Sequence, residues 1–167
     1  MVKLTTTNQS EPGHEVTFQR ERAQDLWAEI EPLLVEHYNE IATFKDIPLA
    51  PDKAQYNAAD DAGKLRLYTA RKAGELVGYA AFLVTQNPHY TTSKQALQDV
   101  IFVSAEHRRG RLGLQLLLYA EQELTADNVD VVYHHVKIKH PALGKLLEHL
   151  GYEATETMYS KRLKGTG

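Results

Sequence analysis

Leu26, Ile30, Leu33, Leu34, His37, Tyr38 and Ile41 recur at three- and four-residue spacing between Arg22 and about Ala42, with Glu29, Glu31, Glu36 and Glu40 on the other faces. This spacing predicts an amphipathic helix, because residues three and four apart share a face. Pro32 lies inside it, so either the helix kinks there or a second helix begins. Lys64 to Arg71 and Glu75 to Val84 are rich in Leu, Tyr, Val and Ala and flank Lys72-Ala73-Gly74, the pattern of a β-hairpin. Asp130 to Lys137 reads as a further strand, Pro141 to Leu150 as a short helix and Tyr152 to Arg162 as a final strand.

Residues 1–13 are polar and read as a flexible leader before a first strand at Glu15 to Arg20. Residues 43–63 form a long polar loop with a brief helix around Asp52 to Ala59. The order is β, α, α, β, β, β, α, β, α, β, without repeats or a second core, so residues 14–167 are expected to form one domain.

The sharpest change of texture lies between Gln98 and Glu123. Residues 98–105 are apolar and β-branched, residues 106–113 carry Arg108, Arg109, Arg111 and two glycines, and leucines at helical spacing follow. Strand, basic glycine-bearing turn and helix succeed one another without a linker. Such a turn gathers backbone N–H groups and the positive end of a helix dipole, which suits a phosphate or pyrophosphate. Standing alone, the same segment could be a solvated surface loop.

Composition narrows the ligand. The 167-residue chain has a net charge of −3, so its basic cluster is local and general nucleic-acid binding is not expected. It contains no cysteine, which excludes disulfides, thiolate metal sites and a cysteine nucleophile. No apolar run approaches the roughly 20 residues of a membrane span, and a soluble, cytoplasmic protein without membrane association is expected.

With these residues in place, the chain resembles the GNAT superfamily of acyl-CoA-dependent N-acyltransferases from about residue 15 to 163. The family's turn has Arg or Gln, two residues, Gly, one residue, then Gly or Ala, with a valine five residues before the Arg. Anchored on Gly113, this places Arg108 and Val103 as the family has them and puts Arg111 where the middle glycine belongs. Leu150, Gly151 and Tyr152 match a second anchor, the Leu-Gly-aromatic step into the final strand. The texture is also similar to acetyltransferase-like proteins carried by bacterial viruses.

The resemblance implies an α/β (α+β) GNAT fold, a central mixed, mostly antiparallel twisted sheet of six to seven strands flanked by about four helices. It also implies acetyl-CoA as acyl-donor cosubstrate, with no metal. The backbone of Ile101, Phe102 and Val103 would pair with the pantetheine arm, and Arg108, Arg109, Gly110, Arg111, Leu112 and Gly113 would cradle the pyrophosphate. Arg111 can still donate its N–H if its backbone is ordinary, with Gly110 taking the permissive conformation. His140 stands where the family often has an Asn near the coenzyme arm.

Counting back from Gly151, the family's base position falls on His135 and its thiolate-protonating tyrosine on Leu147. An imidazole titrates near neutrality and suits a base, although a strand histidine can equally be structural. Alternation puts Tyr133 and His135 on one face and His134 on the other. Asp99 is the next candidate base or acceptor ligand. Tyr90, Tyr119 and Tyr133 are candidate phenols for the thiol. His134, His135 and His140 lack a completing ligand, so no metal site is expected.

The first helices, the loop after them and the loop near His89 to Ser93 would line the acceptor side. Glu31, Glu36, Glu40, Asp46, Asp52, Asp60 and Asp61 make that region acidic, which would steer a cationic amine unless they form only a solvated face. The expected function is direct acetyl transfer from acetyl-CoA to a primary amine on a small molecule or protein. The alternative is a catalytically weak GNAT protein that binds acyl-CoA or a protein partner in a regulatory role. A homodimer is left open.

Overall fold

A computed structural model describes residues 15–164. Its elements are β1 (Val16–Arg20), α1 (Ala23–Ile41), α2 (Lys53–Asp61), β2 (Leu65–Lys72), β3 (Glu75–Gln86), β4 (Lys94–Val103), α3 (Leu112–Ala126), β5 (Val131–Tyr133) and α4 (Ala142–His149), with a 3-10 turn at Ala105–His107. The five strands lie in sequence order, β1 to β4 antiparallel and β5 parallel to β4.

The two faces of the sheet are covered separately. Leu26 and Ile30 of α1 pack with Leu65, Leu67, Leu76, Tyr79, Ala81 and Phe102 on one face, with Tyr56 and Ala59 of α2 beside them. Leu112, Leu116, Ala120 and Leu124 of α3 pack on the other with Tyr68, Val77, Ala80 and Phe82. Burial on both faces explains why β2 and β3 read as nearly continuous apolar runs.

α1 runs unbroken through Pro32, which is exposed and lacks the N–H that would bond the Ala28 carbonyl. Asp52 caps α2 by accepting from the Gln55 N–H at 2.9 Å. Ala73 and Gly74, both at positive φ, close the β2–β3 hairpin in the left-handed turn that suits strand twist.

The sheet has five strands among the described residues where six to seven were expected. Tyr152 to Arg162 forms no strand. Met158 and Tyr159 in this segment remain 73% and 90% exposed, so little apolar burial offsets the entropy of ordering a strand. The strand expected over Asp130 to Lys137 is confined to Val131–Tyr133, because the chain leaves β4 there. The expected leader, residues 1–13, lies outside the described residues.

Candidate active site

β4 and β5 stay together only where Gln95, Ala96 and Leu97 face Val131, Val132 and Tyr133. From Gln98 to Val103, β4 has no strand neighbour on that side among the described residues. Two parallel strands that part leave a wedge, and one wall is a stretch of backbone with no strand partner on that side among the described residues. The Ser104 N–H donates to the Val77 carbonyl at 2.9 Å, toward β3. Strand alternation therefore turns the backbone of Phe102 toward β3 and that of Ile101 and Val103 into the wedge. Of the three residues expected to pair with a pantetheine arm, Phe102 is thus directed away from it.

The wedge runs into the basic turn. Gly110 adopts φ +118°, which only glycine takes without strain, and Arg111 caps α3 with an ordinary φ of −105°. Among the described residues, the N–H groups of Arg109, Gly110, Arg111, Leu112, Gly113 and Leu114 donate to no protein acceptor. A Cβ built on Gly113 meets nothing within 4 Å, so this surface is open to close approach. Six N–H groups without a partner among the described residues, at the N-terminus of a 15-residue helix, suit an anion.

The three arginines differ in employment. Arg108 donates to the Val103 carbonyl at 2.8 Å and to both Glu40 oxygens at 2.7 and 2.5 Å, and its guanidinium lies 5.1 Å from the Phe102 ring centroid. It ties the turn to α1 and β4. Glu36 adds a second tie by accepting from the Ala105 N–H at 2.9 Å. Arg109 and Arg111 are exposed and form no ion pair among the described residues. The Arg108 hydrogen bond holds the Glu40 carboxyl below its ordinary range, with His140 and His37 adding a smaller pull.

Asp99 occupies a β-bulge. Ala81 pairs with Val100 and Phe82 with Gln98, leaving Asp99 as the extra residue. Ala96 before the bulge faces α3, whereas Val100 and Phe102 after it face α1 and α2. The exposed Asp99 carboxylate accepts from the Tyr56 hydroxyl at 2.6 Å. Burial, reinforced by Asp99, pushes the Tyr56 phenol far up, so Tyr56 stays a donor.

The histidines separate by face. His134 is half-buried between Phe82 and Tyr152, its Nδ1 2.6 Å from Gln98 Oε1, and its buried Nε2 has no partner among the described residues. Burial lowers its pKa to about 4. His135 is exposed just past the end of β5, and Tyr133, at the last β4–β5 pair, is also exposed. His140, exposed, donates its backbone N–H to the Lys137 carbonyl at 2.8 Å. Leu147, at the family's acid position, is 5% exposed and part of the core.

His37 was legible only as part of the α1 pattern. Its ring lies 4.9 Å from Phe102, beside the open part of β4, and burial lowers its pKa, with Glu40 and Asp99 opposing and Arg108 and Lys137 adding to the shift. No sequence signal separates it from an apolar helix position.

The expected acidic field is largely occupied. Glu31 pairs with Lys53, Asp46 with Arg162, and Asp60 and Asp61 with Arg22, while Asp52 caps α2. No group of three or more His, Asp or Glu side chains suited to a metal occurs among the described residues. No helix among them is long and apolar enough to cross a membrane.

The family model described as "Acetyltransferase (GNAT) family" matches residues 22–152, spanning both anchors, the bulge and the cradle. The chain belongs to the GNAT acetyltransferase family. Curated protein sequences include none that matches it. Among solved structures, the chain is similar to a ribosomal-protein-alanine N-acetyltransferase from Brucella melitensis biovar Abortus 2308, with TM-score 0.69 and 19% identity over 90% of this chain and 100% of the other. It is also similar to an aminoglycoside acetyltransferase from an uncultured soil metagenomic sample, with TM-score 0.71 and 16% identity over 89% and 97%. A third, a predicted acetyltransferase with acetyl-CoA from Clostridium acetobutylicum, has TM-score 0.68 and 11% identity over 89% and 97%. These likenesses carry the fold. GNAT acetyltransferases are acyl-CoA-dependent transferases that use acetyl-CoA as cosubstrate.

Proposed function

We propose that this GNAT protein transfers an acetyl group from acetyl-CoA directly to a primary amine in a ternary complex. The observation that supports this most is the continuity of the open β4 edge with the free N–H groups of residues 109–114. The outward backbone of Ile101 and Val103 would hold the extended arm, and the cradle the pyrophosphate. With no cysteine in the chain, a thioester enzyme intermediate has no residue to form on.

The thioester supplies the activated acetyl carbon. As the N–C bond forms and the C–S bond breaks, the nitrogen must lose a proton and the sulfur gain one. Asp99, at the bulge on the wall of the wedge, is assigned as the proton acceptor, directly or through one water. His135 is the second candidate, from the end of β5. Tyr133, where β5 leaves β4, is the phenol assigned to protonate the sulfur.

Isothermal titration with acetyl-CoA and free-thiol release with a panel of amines test this reading. Saturable binding with amine-dependent release is expected. Absence of binding at millimolar acetyl-CoA would overturn it. Buried Leu147 at the family's acid position favours a second reading, a GNAT protein that binds acyl-CoA without efficient turnover. Binding without release for any amine would select that reading.

A further inference from the structure

We infer that the acceptor is a monocationic amine carrying a small apolar group, seated in a cavity between α1, α2 and the sheet with its ammonium at Asp99. The inference rests on the acetyl-transfer reading and gives its substrate a class. The cavity measures about 50 Å³, which corresponds to the space of about three or four water molecules and takes a chain of roughly four carbons. Trp27, Ile30 and Leu34 of α1 and Tyr56 of α2 line it on one side, and Tyr79 and Ala81 of β3 on the other. Asp99 and Val100 connect it to the open edge of β4.

Three observations define what fits. The walls are almost wholly apolar, so every hydroxyl or second ammonium carried inside would lose its water without a replacement partner. Asp99 is the carboxylate that lines the cavity, while Glu31, Asp52, Asp60 and Asp61 around it are already engaged, which matches one positive charge. Tyr79 lines the same cavity, and its buried hydroxyl has no hydrogen-bond partner among the described residues. A buried hydroxyl left unpaired is costly, and a polar atom entering beside Asp99 would satisfy it. A polyamine or an aminoglycoside carries more charges than Asp99 can pair, and a peptide backbone brings amide groups that the apolar walls cannot hydrogen-bond.

The test uses Trp27, the single tryptophan of the chain and part of the cavity wall. Its emission is followed during titration with ethylamine, n-butylamine, isoamylamine, spermidine and kanamycin, and thiol release is measured with the same five. Apolar amines are expected to give a saturable change, with Kd falling roughly fourfold per added methylene up to about four carbons. Ala81→Leu, which fills the cavity, should remove that dependence and leave acetyl-CoA binding within twofold. Leu34→Phe narrows the cavity from a half-exposed lining position and serves the same purpose if Ala81→Leu does not fold. Asp99→Asn should weaken n-butylamine binding at least tenfold. Spermidine or kanamycin binding more tightly than isoamylamine, a flat alkyl series, or indifference to both filling variants would overturn the inference. A Trp27 response to apolar amines with no thiol release from any would keep the binding class and overturn the transfer reading.

Discussion

The two sides of the cleft are built from different materials. On the proposed coenzyme side the groups assigned to binding are backbone, the outward amides of β4 and the N–H groups at the start of α3, while side chains such as Arg108 and Glu36 hold the loop in place. On the proposed acceptor side the groups are side chains, Asp99 and Tyr56 beside a cavity walled by α1, α2 and β3. Backbone groups need only the right local conformation, so the coenzyme side should tolerate most side-chain changes that preserve it. The acceptor side depends on a few chemical groups brought together from four elements, and single substitutions there should be severe and specific.

Asp99→Asn tests this contrast most strongly. It keeps the shape and the hydrogen bond from Tyr56 but removes the proton acceptor, so kcat/KM should fall about 10²- to 10⁴-fold, with the Kd for acetyl-CoA within twofold. A matching loss of coenzyme affinity would merge the two sides.

His134 pins the fork where they meet. Its pKa is lowered to about 4 by burial, so the unfolded chain binds this proton more readily than the folded one. Its neutral form is fully compatible with the fold above about pH 6.5, and stability is lost as pH falls from 6.5 toward 4, by up to ~3 kcal/mol. Denaturant titrations across that range should show the loss, and His134→Gln should flatten the slope.

Glycine positions probe the backbone side. A Cβ on Gly78 would stand 3.0 Å from both the Phe102 carbonyl oxygen and Val103 Cγ2, so Gly78→Ala must shift the end of β4, at about 1–3 kcal/mol and with weaker acetyl-CoA binding. Gly110→Ala meets no atom but inherits φ +118°. The strain of about 1–2 kcal/mol should raise the coenzyme Kd about tenfold and leave amine binding at Trp27 unchanged. The smallest effect is expected from Arg109→Ala with Arg111→Ala. These exposed charges act through water, so the Kd should rise only a few-fold and the difference should vanish in high salt.

The same contrast decides what could be read from the chain. The coenzyme side is contiguous in sequence, and a strand, a turn with Gly110 and a leucine-spaced helix leave a local signature. Alternation likewise separated buried His134 from exposed His135. The acceptor side is assembled by tertiary packing. Nothing local marks Tyr56 as the partner of Asp99, or His37 as anything but a helix position. The expected acidic field is largely taken up by ion pairs that the sequence does not mark, because carboxylates attract partners from distant segments, such as Arg22 for Asp60 and Arg162 for Asp46. The final strand was expected from residue types that favour strands, but Met158 and Tyr159 found nothing to cover them.

The bulge at Asp99 behaves like a frameshift written into the sheet. Upstream of it, even-numbered β4 side chains face α3, and downstream they face α1 and α2. Deleting that one residue would restore an even ladder and leave residues 100–103 in their present register and on their present faces, with Gln98 opposite Phe82 and Val100 opposite Ala81. Drawing Asp99 into the ladder as an ordinary rung would instead make Val100 and Phe102 trade faces with Ile101 and Val103, and the outward amides trade places with the inward ones. A register slip of one residue in β4 would therefore disrupt both proposed binding surfaces at once, whereas the loops at residues 43–52 and 87–93 can vary in length without altering that parity.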